Sequence, residues 1–178
     1  MRNFKQTITI SFFFCISGIT FSQVPHFEKY AITQTGAFIY MPEKPVFDLT
    51  YSEDSSAVYT SETTFDSIRY GIIYVALKTD LGDVTADWEN ILWSYMQYLN
   101  GAAFDLSSAT DPGYGHTLPS DSTAHGILEY GVDNSGNQMS VKGWVNKNAL
   151  AILYMYSKNE MNINFQSIYL NGIRFPVQ

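Results

Sequence analysis

YGIIYVALKTD, residues Tyr70–Asp80, followed by VTADWENILWSYMQYLNG, residues Val84–Gly101, decides how this chain folds. In the first segment Ile72, Tyr74 and Ala76 lie on one parity and Ile73, Val75 and Leu77 on the other. A strand apolar on both faces belongs inside a sheet that is covered on both sides. In the second segment Trp88, Ile91, Leu92, Tyr95 and Leu99 fall at i, i+3, i+4, i+7 and i+11, one face of an α-helix. Thr85 is placed to cap that helix, Asp87 and Glu89 suit its N-terminal dipole, and Asn100-Gly101 reads as its stop. Trp93 falls toward the polar side, where it either tucks under a loop or meets a ligand or partner.

Upstream, Met1–Ser22 reads as a secretory signal peptide: Arg2 and Lys5 precede an apolar run from Ile8 to about Ile19, and cleavage is expected after Ser22. The run is too short to span a bilayer comfortably, and no second one follows. Cys15 lies inside it, and Phe12-Phe13-Phe14 does not offer the small residue a lipidation site wants. Residues 23–178 then form one domain without cysteine, held by its core and not by disulfides. Removing Arg2 and Lys5 takes the net charge from −7 to about −9. No basic patch is visible for nucleic acid or an anionic membrane, so neither a nucleic-acid partner nor stable membrane insertion after cleavage is expected.

The rest of the chain reads as more sheet. Ala37–Met41, Val46–Leu49 and Ala57–Phe65 are strand-like, and Asp66-Ser67 is a tight turn into the central strand. Gly126–Val132, Met139–Val145 and Ala149–Tyr156 form a meander, followed by a second helix at about Asn162–Leu170. Between the first helix and this meander, Ala102–Ala124 is dense in Ser, Gly, Pro and Asp and reads as one long irregular loop. Loops of that length in compact domains are usually functional or mobile. This order predicts an α+β fold: an antiparallel β-sheet with helices packed on both faces, an α/β/α sandwich.

The opening Phe38-Ile39-Tyr40-Met41-Pro42, the central strand with its long helix, and the closing Tyr154, short helix and Asn171-Gly172-Ile173-Arg174-Phe175 together resemble the PsbP-like/Mog-type family. The resemblance covers nearly all of residues 23–178 through element order and implies that sandwich fold. Members are mostly non-enzymatic: photosystem II accessory subunits, a binder of a small GTPase in nuclear import, and exported bacterial domains. It therefore implies binding rather than chemistry, and it carries over no functional residue.

One cluster could carry chemistry. Asp111, His116, Asp121 and His125 lie in or beside the loop, and carboxylates with neutral imidazoles are ligands for zinc or another divalent ion. The nine-residue spacing of the histidines matches no known ligand motif, and Asp111-Pro112-Gly113 and Pro119-Ser120-Asp121 also read as ordinary turns. Tyr114, between glycines, would suit a small-molecule or sugar contact. There is no GxSxG, no phosphate-binding glycine loop, and no closing Glu that would make Asp133–Asn137 a calcium loop, so no cofactor is implied. The expected function is an exported, non-catalytic domain that binds a protein or small ligand, with the Ala102–Ala124 loop as the candidate surface. The alternative is a metal-dependent hydrolase using the four residues above. A surface or matrix component, which would self-associate, is a third possibility.

Overall fold

The computed structural model describes residues 25–176; the expected signal peptide and Cys15 lie outside them. Eleven strands and two helices occur among the described residues, in the order β1 (Glu28–Ala31), β2 (Phe38–Met41), β3 (Asp48–Tyr51), β4 (Ala57–Phe65), β5 (Ile68–Ala76), α1 (Thr85–Ala102), β6 (Leu106–Ala109), β7 (Gly113–Leu118), β8 (Asp121–Asp133), β9 (Gln138–Asn146), β10 (Ala149–Ser157), α2 (Ile163–Leu170) and β11 (Ile173–Arg174).

An eight-stranded antiparallel sheet runs β3-β4-β5-β10-β9-β8-β6, with β7 also paired to β8. As its two-faced pattern requires, β5 is central, between β4 and β10, with Ile73 opposite Ile152 and Ile72 opposite Leu153. Asp66 and Ser67 both take positive φ, 48° and 62°, the two left-handed residues that close a two-residue hairpin between β4 and β5. Asp133 orders the β8–β9 turn by accepting from the backbone amides of Ser135 and Asn137, both at 2.8 Å.

The α/β/α expectation is overturned. Of the described residues 48% are in strands and 17% in helices, and a single helix covers one face. That face carries Ile73, Val75, Ile127, Val141, Val145, Leu150 and Ile152, packed under Trp88, Leu92, Met96 and Leu99 of α1. Each such side chain contributes about 1.5–3 kcal/mol on burial, so this contact anchors α1. The second face is covered chiefly by another antiparallel sheet, β1-β2-β11, which brings Ile39, Met41 and Ile173 onto Ile72, Tyr74, Leu153 and Trp144. The short α2 buries only Tyr169 and Leu170. Eight residues are too few to roof a sheet face, and the extended N-terminal segment completes the cover.

α1 also departs in detail from its sequence reading. Thr85 is its first helical residue, preceded by Val84 with no side-chain cap, and the helix continues through Asn100-Gly101 to Ala102. Met96 is fully buried, whereas Ile91 is 40% exposed. Gly143 explains this rotation: a Cβ there would lie 2.7 Å from both Leu92 and Met96, so the helix settles on the bare backbone of β9 along the 88-92-96-99 stripe. No helix among the described residues is long and apolar enough to cross a membrane.

Candidate functional site

The segment expected as a loop is largely strand. Leu106–Ala109 pairs with the end of β8, and Gly113–Leu118 with its beginning. This pairing separates the four candidate metal ligands. Thr117 lies opposite His125 and His116 opposite Gly126, so strand alternation sends the two imidazoles to opposite faces of the sheet. His125 faces α1, its Nδ1 3.2 Å from Glu89 Oε1 and its ring in a T-shaped contact with Trp88. His116 is on the far side, where burial first and the charge of Lys142 second hold its pKa below the ordinary value. Asp121 is occupied locally, accepting from the Thr123 amide at 3.0 Å and hydroxyl at 2.6 Å and from Asn146 Nδ2 at 3.3 Å. Asp111 is exposed between β6 and β7. No three His, Cys, Asp or Glu side chains among the described residues gather as a metal-ligand set.

A different arrangement forms at the same place. The last turns of α1, β6 and the Thr110–Pro112 link enclose an open cleft of about 570 Å³. Trp93, Gln97 and Asn100, at i, i+4 and i+7, present one flank of the helix to it. Asp111 lies at its rim and Glu129, from β8, at its base. Trp93 is half-buried and packs against Tyr114 in a T-shaped contact, 6.1 Å between ring centroids. Trp93, whose position left open packing under a loop or contact with a ligand or partner, stands on the cleft wall with Asp111 nearby and Tyr114 packed against it.

Glu129 is the unusual residue. It is directly opposite Val141 on the core face beneath α1 and only 2% exposed. Its one side-chain hydrogen bond is accepted from Asn100 Nδ2 at 2.7 Å, and no cation pairs with it among the described residues. Burial pushes its pKa above the usual carboxylate value, against the smaller opposing effect of the Asn100 bond. The Asn100 Oδ1 atom is itself buried without a partner. Uncompensated buried polar groups of this kind cost stability and mark functional clefts. Sequence reasoning missed Glu129, although a signal existed: Ile127 and Glu129 share a parity, so one charge sits on the strand's apolar side.

Glu129→Gln separates these effects. The glutamine carbonyl still accepts from Asn100, while its amide can donate to the unpartnered Asn100 oxygen, and no charge is buried. The raised pKa means that Glu129 favours folding in its neutral form, at pH below the unfolded carboxylate range, and that this advantage disappears as pH rises through the folded value. The variant is therefore expected to be about 1 kcal/mol or more stabler than the parent at pH 7, with the gap closing near pH 4. Urea unfolding at both pH values reads this directly; a variant destabilised at pH 7 would show that the carboxylate is better compensated than its contacts indicate.

A second groove, about 440 Å³, lies on the opposite face beside α2, where Tyr130, Ser140 and Gln166 contribute to its walls. It has no charged lining residue, and two of its polar side chains are tied to one another and to the backbone: Ser140 donates to Gln166 Oε1 at 2.8 Å and Gln166 Nε2 to the Met161 carbonyl at 2.9 Å. The α1–β6 cleft alone of the two leaves a buried carboxylate uncompensated. The chain matches no protein-family model and no curated protein.

Proposed function

We propose that this protein is an exported, non-catalytic binding domain that holds a small ligand in the cleft between α1 and β6. Export rests on the basic and apolar N-terminal sequence. Binding rests on Glu129: a nearly buried carboxylate with one neutral partner, at the base of an open cleft walled by a tryptophan, is a costly feature that a ligand would compensate. Among the described residues the cleft lining joins an indole, side-chain amides and two carboxylates, groups that suit the holding of a ligand.

A thermal melt of the full chain against small neutral sugars, amines, amino acids and nucleosides tests this. A ligand specific for the native state at a hundredfold excess over its dissociation constant adds about 2.7 kcal/mol to stability. At least one compound is expected to raise the midpoint of the parent and to lose that effect in Trp93→Ala. A shift that survives Trp93→Ala, or no shift across the panel, would remove the cleft as the site.

A further inference from the structure

We propose that the ligand of the α1–β6 cleft is a small organic cation carrying a primary ammonium group. This rests on the reading of that cleft as the binding site and adds the chemistry of what enters it. Four features of the cleft favour the same sign of charge. Glu129 lines its base and Asp111 its rim, and no Lys or Arg lines it anywhere. The C-terminal end of α1 borders it through Asn100 and Gly101, and the last turn of that helix contains no basic residue. An eighteen-residue helix presents partial negative charge at this end, and nothing on the helix offsets it. The buried Asn100 Oδ1, without a donor, adds to the same potential.

The fourth feature is Trp93. Its half-buried indole forms a wall of the cleft, and a cation over an indole face is attracted by the ring quadrupole, more strongly where water is displaced. An aromatic wall alone would equally suit a neutral sugar. An aromatic wall with two carboxylates, a helix C-terminus and no cation does not: a neutral ligand would leave the Glu129 charge uncompensated, and an anion would be repelled. Among cations, hydrogen bonding decides. Glu129 accepts one hydrogen bond, on Oε2, leaving its other oxygen without a donor. A primary ammonium brings three N–H donors, whereas a quaternary ammonium brings none. The cleft volume of about 570 Å³ leaves room for a body well beyond the ammonium itself, such as an amino sugar or a diamine.

Isothermal titration of the full chain with glucosamine and 1,4-diaminobutane, set against glucose, 1,4-butanediol and tetramethylammonium, tests the assignment at fixed ionic strength. The two primary amines are expected to bind at least tenfold more tightly than their neutral counterparts and than tetramethylammonium. Glu129→Gln, which is expected to fold at least as well as the parent, should lose tenfold or more in amine affinity. Asp111→Asn should lose a smaller factor, and its loss should shrink as salt is raised. Amine binding unchanged in Glu129→Gln would place the amines on the acidic surface and overturn the assignment. Glucose binding as tightly as glucosamine, with both lost in Trp93→Ala, would overturn the ammonium while leaving the cleft as a ligand site. Silence from every probe here and throughout the wider melt panel would remove both readings.

Discussion

Trp144→Ala is expected to destabilise the protein by about 4–5 kcal/mol, the upper end of what large aromatic truncations in cores cost. Trp144 is fully buried on β9, on the face opposite α1. Its Nε1 donates to the carbonyl of Leu170 at 2.7 Å, which ties the last residue of α2 to the sheet. Across β8 its neighbour is Gly126, where a Cβ would lie 2.6 Å from the indole ring. Because Gly126 has no side chain, nothing on β8 can swing in to fill the space that alanine would open. The truncation would also leave the Leu170 carbonyl without its donor and remove the ring beneath the Lys142 ammonium, 4.5 Å from its centroid. Trp144→Phe should lose roughly half as much, since most of the ring volume stays while the hydrogen bond goes. Urea unfolding with an unchanged m-value reads the difference as a midpoint shift. A loss for Trp144→Ala below about 2 kcal/mol would mean that α2 and β2 collapse onto the sheet without it.

The central strand was legible because burial on both faces leaves no polar parity, and β10 shares that property; β9 is just as buried but carries Gln138, Ser140 and Lys142 on one parity, so only its Met139-Val141-Val145 side was readable. α1 was legible as a helix, but its rotation was not. The choice between Ile91 and Met96 is made by Gly143 on another strand, a tertiary approach that periodicity within the helix does not contain. The short strands were the hardest to read. EKYA in β1 and LSSA in β6 are exposed or half-exposed edge segments, without the apolar alternation that a half-buried strand shows. Serine, glycine and proline between residues 102 and 124 signalled turns, and the turns exist. They separate edge strands whose pairing is supplied by β8, and that pairing alone sends His116 and His125 to opposite faces. The α/β/α expectation failed on the same ground: the cover of the second face comes from EKYA, FIYM and a two-residue strand, short segments whose assembly is set by packing. At the site, Trp93, Asp111 and Tyr114 stood out by residue type. Glu129 and Asn100 matter through a contact between residues twenty-nine apart, which only the fold brings together.

Lys142→Met should reverse the usual sign of a core substitution and stabilise the protein at neutral pH, with a pH dependence that identifies the cause. Lys142 is 6% exposed on β9, and its ammonium hydrogen-bonds Asn171 Oδ1 at 2.9 Å, beside the C-terminus of α2. α2 has no basic residue in its own last turn, so this lysine from the sheet supplies the positive charge that its dipole favours. No carboxylate pairs with it among the described residues, and burial lowers its pKa from 10.5 to about 8. The folded state therefore binds this proton less tightly than the unfolded state does. Above the unfolded value both states are neutral and the lysine costs nothing; as pH falls through the folded value the full penalty is reached, and below it the penalty is constant. At about 1.4 kcal/mol per tenfold in proton affinity, that penalty is roughly 3 kcal/mol at pH 7. Methionine, of similar length, avoids it but gives up the Asn171 bond and the cation–π contact, about 1–2 kcal/mol together. The variant is thus expected to be about 1–2 kcal/mol more stable than the parent at pH 7, and to lose that advantage between pH 8 and 10.5 as the parent's lysine becomes neutral. Comparing the two chains at each pH cancels the tyrosines, Tyr70 and Tyr74 among them with values pushed to about 12, which destabilise both alike as the unfolded state ionises. His116 provides an independent reading: the Lys142 charge contributes to its lowered pKa, so an NMR titration of the variant should find it closer to the ordinary histidine value. A stability difference flat from pH 7 to 10.5 would show that packing, and not the desolvated charge, controls this position.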